Sequence, residues 1–218
     1  MSSMRVTNVV ILICILASLY AWTVDPTFVG GYLVFSLKNL EAGRVWTLVT
    51  AIFVHGNIIH LLGNMIFLYV FGNTLESVTN SKGKMLLPFF LGGILSFLLS
   101  IPFFPADATF VGASAAIFTL TAVVMLLKPL RFSWLLLMPV GLVAVLYFLF
   151  NAVAVYTHVQ GDVAYVSHII GFSLGLPFGI AWSSQWKRNL LISIGLLLVY
   201  FVLLYFLTTF ILPSLKIG

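Results

Sequence analysis

The chain has 218 residues, 62% of them hydrophobic and only 7% charged, with a formal net charge of +5. Soluble domains carry about 25% charged residues, so this composition argues against a water-solvated globule and for a bundle whose outer surface faces lipid. The basic residues are scattered between apolar runs, with no basic stripe and no RNA-binding signature, which argues against a nucleic-acid partner.

A bilayer core about 30 Å thick takes roughly 20 helical residues to cross, and the expected spans follow in order along the chain. The first, 6–22, lies behind Arg5. Its apolar core is long for a signal peptide and no small-x-small cleavage site follows, so it reads as a retained span. It holds Cys14, the only cysteine, so no intramolecular disulfide can form. Residues 23–56 carry Asp25, Pro26, Gly30, Gly31, Lys38, Glu41 and Arg44. This stretch is too long for a tight turn and too apolar for a solvated tail, so a structured, partly embedded loop is expected. Further spans are expected at 57–77, 85–104, 111–128, 132–150, 166–183 and 189–212. Of these, 166–183 is the weakest, because it contains His168 and three glycines. The linkers are short and leave no room for a separate soluble domain.

Cytoplasmic loops of membrane proteins are enriched in Lys and Arg. With the N-terminus inside, Arg5, Lys82, Lys84, Lys128, Arg131, Lys187 and Arg188 fall on the cytoplasmic side, and Lys38, Arg44 and Lys216 outside. This orientation brings His55, His60, His158 and His168 to one depth near the outer face. Ser114 enters the fourth span from the same side, about one turn below the interface at 1.5 Å per residue.

Three motifs stand in that layer. In His55-Gly-Asn-Ile-Ile-His60-Leu-Leu-Gly-Asn64, His60 and Asn64 are four apart and share a helix face. Interhelical hydrogen bonding is the plain alternative to chemistry here, although polar groups inside spans are more often functional than those in soluble cores. In Gly112-Ala-Ser114-Ala-Ala-Ile-Phe118, the small residues let another backbone approach closely, and Ser114 reads equally as one more packing serine. In Ser167-His168-Ile-Ile-Gly171, followed by Gly175 and Gly179, the glycines form a groove at spacing four. Gly171 and Gly175 share the face of His168, so whatever packs in the groove meets the imidazole. The start of the fourth span is the natural candidate. A serine needs an adjacent base to become a nucleophile, and histidine titrates in the range that task requires.

With Trp46, Gly72 and Glu76 added in order, these pieces resemble the rhomboid intramembrane serine proteases over residues 5–183. The resemblance implies an all-α polytopic transmembrane bundle: a six-helix rhomboid-like core, here with one additional C-terminal helix. It implies an intramembrane serine endopeptidase with a Ser–His dyad and no acidic third member, Asp162 being left to solvate the surface. Ser114 is then the nucleophile and His168 the general base and acid. His60, Asn64 and the Ser114 backbone N–H stabilise the oxyanion. His55, Gly112, Gly171 and Gly175 support the site, and Phe118 packs against the base. No metal and no cofactor is implied. The expected partners are lipid and membrane-protein substrates with helix-weakening residues near the outer face. The expected location is the plasma membrane, with the N-terminus cytoplasmic and the C-terminus outside. Family members commonly have Trp-Arg in the first outer loop, where this chain has Trp46-Thr47 with Arg44 two residues earlier, which leaves the anchoring of that loop open.

Residues 1–183 are read as the catalytic core, and 184–218 as a linker plus an extra helix with no chemical motif. Substrate access is expected between the second and fifth spans, with Phe150 closing against Gly63. Two alternatives remain beside a proton-coupled transporter, which would show acids within its spans, where only Glu76 comes close. One is a rhomboid-like protein that binds membrane proteins without cutting them, although such proteins lose the serine or histidine kept here. The other is a metal-binding transporter, which four histidines at one depth would suit. A zinc protease would show H-E-x-x-H, which this chain lacks.

Overall fold

The computed structural model of the chain describes residues 4–159 and 164–212. The first helix, α1 (Val6–Thr23), has no capping side chain of its own at Arg5. Its orphaned first-turn donors are met from another helix: Glu76 accepts from Val6 N at 3.0 Å, Thr7 N at 3.1 Å and Thr7 Oγ1 at 3.0 Å. A carboxylate is the favoured partner at the positive end of a helix.

The long loop after α1 is structured as expected. It holds α2 (Pro26–Tyr32), strand β1 (Phe35–Ser36), α3 (Leu37–Glu41) and α4 (Thr47–Phe53). Arg44 answers the question of its anchoring. Its guanidinium donates to the Gly31 carbonyl at 3.1 Å and to Asn39 Oδ1 at 2.9 Å, and lies 4.9 Å from the centre of the Tyr32 ring. Trp46 Nε1 donates to the Tyr32 carbonyl at 3.1 Å. An arginine two residues before the tryptophan therefore pins the loop.

α5 (Ile58–Thr79) is capped by Asn57 and ends at Asn80 in the left-handed conformation. α6 (Lys82–Ser100) continues into a 3-10 turn, Ile101–Phe103. Strand β2 (Thr109–Phe110) pairs antiparallel with β1 and leads into α7 (Ser114–Leu127). The hairpin β3 (Phe132–Ser133) and β4 (Met138–Pro139) precedes α8 (Val140–Tyr156). α9 (Tyr165–Trp182) and α10 (Trp186–Phe206) complete the bundle, and a π-turn, Leu207–Ile211, follows α10.

Among the described residues, seven apolar helices of ten residues or more form the bundle. α1, α5, α6 with its turn, α9, and α10 with its turn are long enough to cross a membrane, while α7 and α8 are shorter. The chain is an all-α polytopic bundle of six core helices plus one at the C-terminal end. The fifth span departs from expectation, since α8 begins at Val140 and the apolar stretch before it is the hairpin. Pro139 lacks the N–H that a helix interior needs and stands in extended backbone as the N-cap of α8, whereas Pro88 and Pro177 lie inside their helices. Hydropathy alone does not separate hairpin from helix, because Trp134, 82% exposed at the hairpin, is as apolar as a spanning residue.

α7 is the axis of the fold, with Ala115 through Leu126 all buried, and α5, α6, α8, α9 and α10 all pack against it. Its closest partner is α9. A Cβ at Gly171 would collide with the Ala115 carbonyl oxygen, and one at Gly175 with the Thr119 carbonyl oxygen. Thr119 Oγ1 crosses the same seam to the Gly171 carbonyl at 2.8 Å. The C-terminal carbonyls of α7, which lack helical partners, are met by α10: Asn189 Nδ2 donates to Leu126 O at 2.7 Å and Leu127 O at 3.2 Å. The extra helix is mostly exposed, yet it caps the central one.

The seam makes a graded prediction. At Gly175 an added methyl meets the Thr119 backbone carbonyl, whereas at Gly179 it meets only the Leu126 side chain, Cδ1 at 2.8 Å and Cβ at 2.9 Å, where the outer atoms can give. Gly175→Ala should therefore lower the thermal midpoint of the detergent-solubilised protein clearly more than Gly179→Ala, by about 1–3 kcal/mol of overpacking cost. Equal midpoints in the two variants would contradict this packing.

Candidate active site

Ser114 opens α7, and its backbone N–H is one of the orphan donors of the first helical turn. Its position is set by the segment before it. Gly112 has φ +101°, a conformation that disfavours any side chain, and a Cβ there would lie 2.8 Å from His60 Nε2. Gly112 N donates to Ala51 O at 2.8 Å, tying this turn to α4.

His168 lies on the first turn of α9, 7% exposed. Its Nε2 is 2.8 Å from Ser114 Oγ. The residues 54 apart in sequence thus meet across the glycine seam. The imidazole stacks on Phe118 at 4.6 Å between centroids and 12° between planes. Phe118 in turn stacks on Tyr147 of α8 at 4.2 Å, and Tyr147 lies 4.6 Å from Phe67 of α5. An aromatic ladder thus runs from α9 to α5.

The other nitrogen of His168 has a partner that the sequence reading missed. Nδ1 is 2.7 Å from Oδ1 of Asn151 on α8, a residue 1% exposed. The signal was present, a lone asparagine in an apolar span, but it has no motif spacing to mark it. Asp162, the acid nearest to His168 in sequence, lies outside the described residues.

His60 and Asn64 both sit on α5, and His60 lies against the Gly112 turn before Ser114. Asn64 Nδ2 donates to the His60 carbonyl at 2.8 Å, and an amide carries a second N–H free for another acceptor. The His55 and His60 rings meet edge-on at 5.1 Å. His55 is fully buried. Its Nε2 accepts from Ala113 N at 3.4 Å, so its Nδ1 donates to Ser18 Oγ at 3.0 Å. Trp22 Nε1 adds a bond to the His55 carbonyl at 2.7 Å. This histidine therefore joins α1 to the turn before Ser114. Burial, with His60 beside it, pushes its pKa down to about 3, which keeps it neutral in this role.

Not every expected residue joins the cluster. His158 lies past the end of α8, exposed, with a left-handed φ of 52°. Phe150 does not face Gly63. It is 61% exposed and meets Tyr165 edge-on at 6.1 Å, and a Cβ at Gly63 would meet open space. Phe67 and Tyr147 form the aromatic contact between α5 and α8. Among the described residues, no three of His, Cys, Asp and Glu are grouped so as to hold a metal ion.

Comparison with known proteins gives a consistent result. Residues 42–185 match the Rhomboid domain family. The chain is similar to the Rhomboid-like protein 11, chloroplastic, of Arabidopsis thaliana, with 40% identity over 86 residues, 39% of this chain and 29% of that protein. It is also similar to the RHOMBOID-like protein 12, mitochondrial, of the same plant, with 37% identity over 75 residues, 34% of this chain and 22% of that protein. The aligned stretches thus span less than a third of either relative's length. A family match that runs from the loop after α1 through α9, over the helices that bring Ser114 and His168 together, establishes that the chain belongs to the rhomboid family.

Proposed function

We propose that the protein is an intramembrane serine endopeptidase that cuts other membrane proteins with Ser114 and His168. The observation that carries this reading is the 2.8 Å contact between Ser114 Oγ and His168 Nε2 inside a bundle of membrane-length helices. A hydroxyl held against an imidazole is the arrangement that nucleophilic catalysis requires.

In this reading His168 Nε2 takes the hydroxyl proton as Ser114 Oγ attacks the scissile carbonyl carbon. The oxyanion that develops is met by donors from His60, from the spare N–H of Asn64 and from the Ser114 backbone. His168 then gives the proton to the leaving amine, and the acyl-enzyme is hydrolysed by a water that the same imidazole deprotonates. Supply of that water fits the length of α7. Its 14 residues make about 21 Å of helix, short of the roughly 30 Å hydrocarbon core, so the serine lies below the surface.

Loop charge supports the orientation with the N-terminus cytoplasmic and the site towards the outside. Arg131 reaches Ser77 at the end of α5 at 2.7 Å, and Lys84 lies 5.3 Å from the Trp182 ring centre at the end of α9, so the basic residues collect at the end of the bundle opposite Ser114. We place the protein in the plasma membrane, with residues 1–183 as the catalytic core and 184–218 as the added segment. Substrates are transmembrane segments able to expose an extended peptide bond near the outer face, which favours helix-weakening residues there.

Purified protein reconstituted with a single-span substrate should cut it, while Ser114→Ala and His168→Ala should each abolish cleavage with the fold intact. Turnover by a folded Ser114→Ala protein would sink the assignment. Substrate binding by wild type and variant alike, with cleavage by neither, would mark a binding protein. Loss of activity on chelation, restored by zinc, would point to metal chemistry instead.

His60→Ala and Asn64→Ala should lower kcat more than they change KM, because oxyanion donors act on developing charge. A lost donor costs about 10²–10³ in rate, softened where the remaining donors compensate. An unchanged kcat in the double variant would remove both residues from the mechanism.

A further inference from the structure

The histidine of this site has two constraints with different consequences. Stacking on Phe118, 12° from parallel, fixes the plane of the ring. It does not distinguish Nδ1 from Nε2, nor decide which of them carries the proton. A neutral imidazole holds one N–H, and only a bare Nε2 can accept the serine proton. Something else must select the tautomer.

Asn151 has the required geometry. Its Nδ2 donates to the Tyr147 carbonyl, one turn back on α8, at 2.8 Å. That bond orients the amide, because the reverse orientation would set two oxygens against each other with no proton between them. Oδ1 must then be the atom 2.7 Å from His168 Nδ1, and an amide oxygen only accepts. Nδ1 therefore carries the proton, and Nε2, 2.8 Å from Ser114 Oγ, is bare. Asn151 is 1% exposed, so no bulk water competes for either of its bonds. Its neutrality suits the place, since a buried carboxylate would carry a heavy desolvation cost.

Resting on the Ser114–His168 reading, we propose that Asn151 is a positioning residue that holds His168 in its Nδ1–H tautomer with Nε2 towards the serine. It touches neither substrate nor serine. When Nε2 takes the hydroxyl proton, the Nδ1 proton stays where it is, still donated to Asn151 Oδ1, so α8 fixes the base throughout the cycle.

The test combines spectroscopy and kinetics on the full chain in lipid or detergent. In 15N-histidine spectra, the His168 signal, identified by its loss in His168→Ala, should show Nδ1 protonated and Nε2 bare at neutral pH. Asn151→Leu, close in size but without the acceptor, should lower kcat on the order of 10- to 100-fold with KM unchanged. Fluorophosphonate labelling of Ser114 should slow in parallel, and the His168 tautomer should become mixed. Asn151→Asp keeps an acceptor oxygen and should recover more of kcat than leucine does.

A wild-type His168 protonated on Nε2 overturns the proposal, whatever the variants do. So does a wild-type kcat in Asn151→Leu, or a lost kcat with the tautomer unchanged. If the leucine variant does not fold, the wild-type tautomer and the aspartate variant decide. The two readings fail separately. Retained cleavage in Ser114→Ala removes the serine mechanism itself. An inactive Ser114→Ala beside an unimpaired Asn151→Leu removes only the role of Asn151.

Discussion

The backbone contact between α7 and α9 is the constraint on which the rest of the structure depends. Gly171 and Gly175 sit against the Ala115 and Thr119 carbonyls with no space for a methyl group. Lipid is as apolar as leucine, so association of spans draws on close packing and interhelical hydrogen bonds more than on the hydrophobic effect. The seam supplies both, since Thr119 also bonds across it to Gly171 O. Ser114 and His168 each stand within one turn of that contact, so their separation is inherited from it.

Around the seam, polar groups are held in chains rather than singly, as a low-dielectric interior demands. His55 links Ser18 of α1 to Ala113 at the turn before Ser114. Glu76 ties α5 to the start of α1, and Asn189 ties α10 to the end of α7. The end of the bundle opposite Ser114 is thus fixed by side chains that satisfy helix termini, at the start of α1 and the end of α7. The middle is fixed by the aromatic ladder from His168 through Phe118 and Tyr147 to Phe67. Removing one polar partner in such a chain leaves another buried without compensation, so these residues act on the position of the serine from a distance.

Legibility from the sequence followed the physical character of each signal. The glycine groove could be read because a period of four places its members on one helix face, and His168 shares that face. His60 and Asn64 could be read for the same reason. Asn151 could not, because one asparagine in an apolar run has no periodic partner and its meaning depends on which helix lies opposite. The fifth span was misplaced at its start because an interfacial hairpin rich in Trp and Leu has the hydropathy of a span, and only Pro139 marks the true beginning of α8. The aromatic opposite α5 is Tyr147, one turn before Phe150. The anchoring of the loop after α1 by Arg44 is open in sequence because it depends on the Tyr32 ring and the Gly31 carbonyl, brought near only by the folded loop.

The most direct measurement of the central claim is the rate at which a fluorophosphonate labels Ser114 in Gly171→Ala, with the adduct mapped by mass spectrometry. The substitution adds one methyl group at the seam and alters neither reacting side chain. If the α7–α9 contact sets the Ser114–His168 distance, labelling should fall steeply while the protein remains folded and helical. A folded Gly171→Ala protein labelled at Ser114 at the wild-type rate would contradict the account.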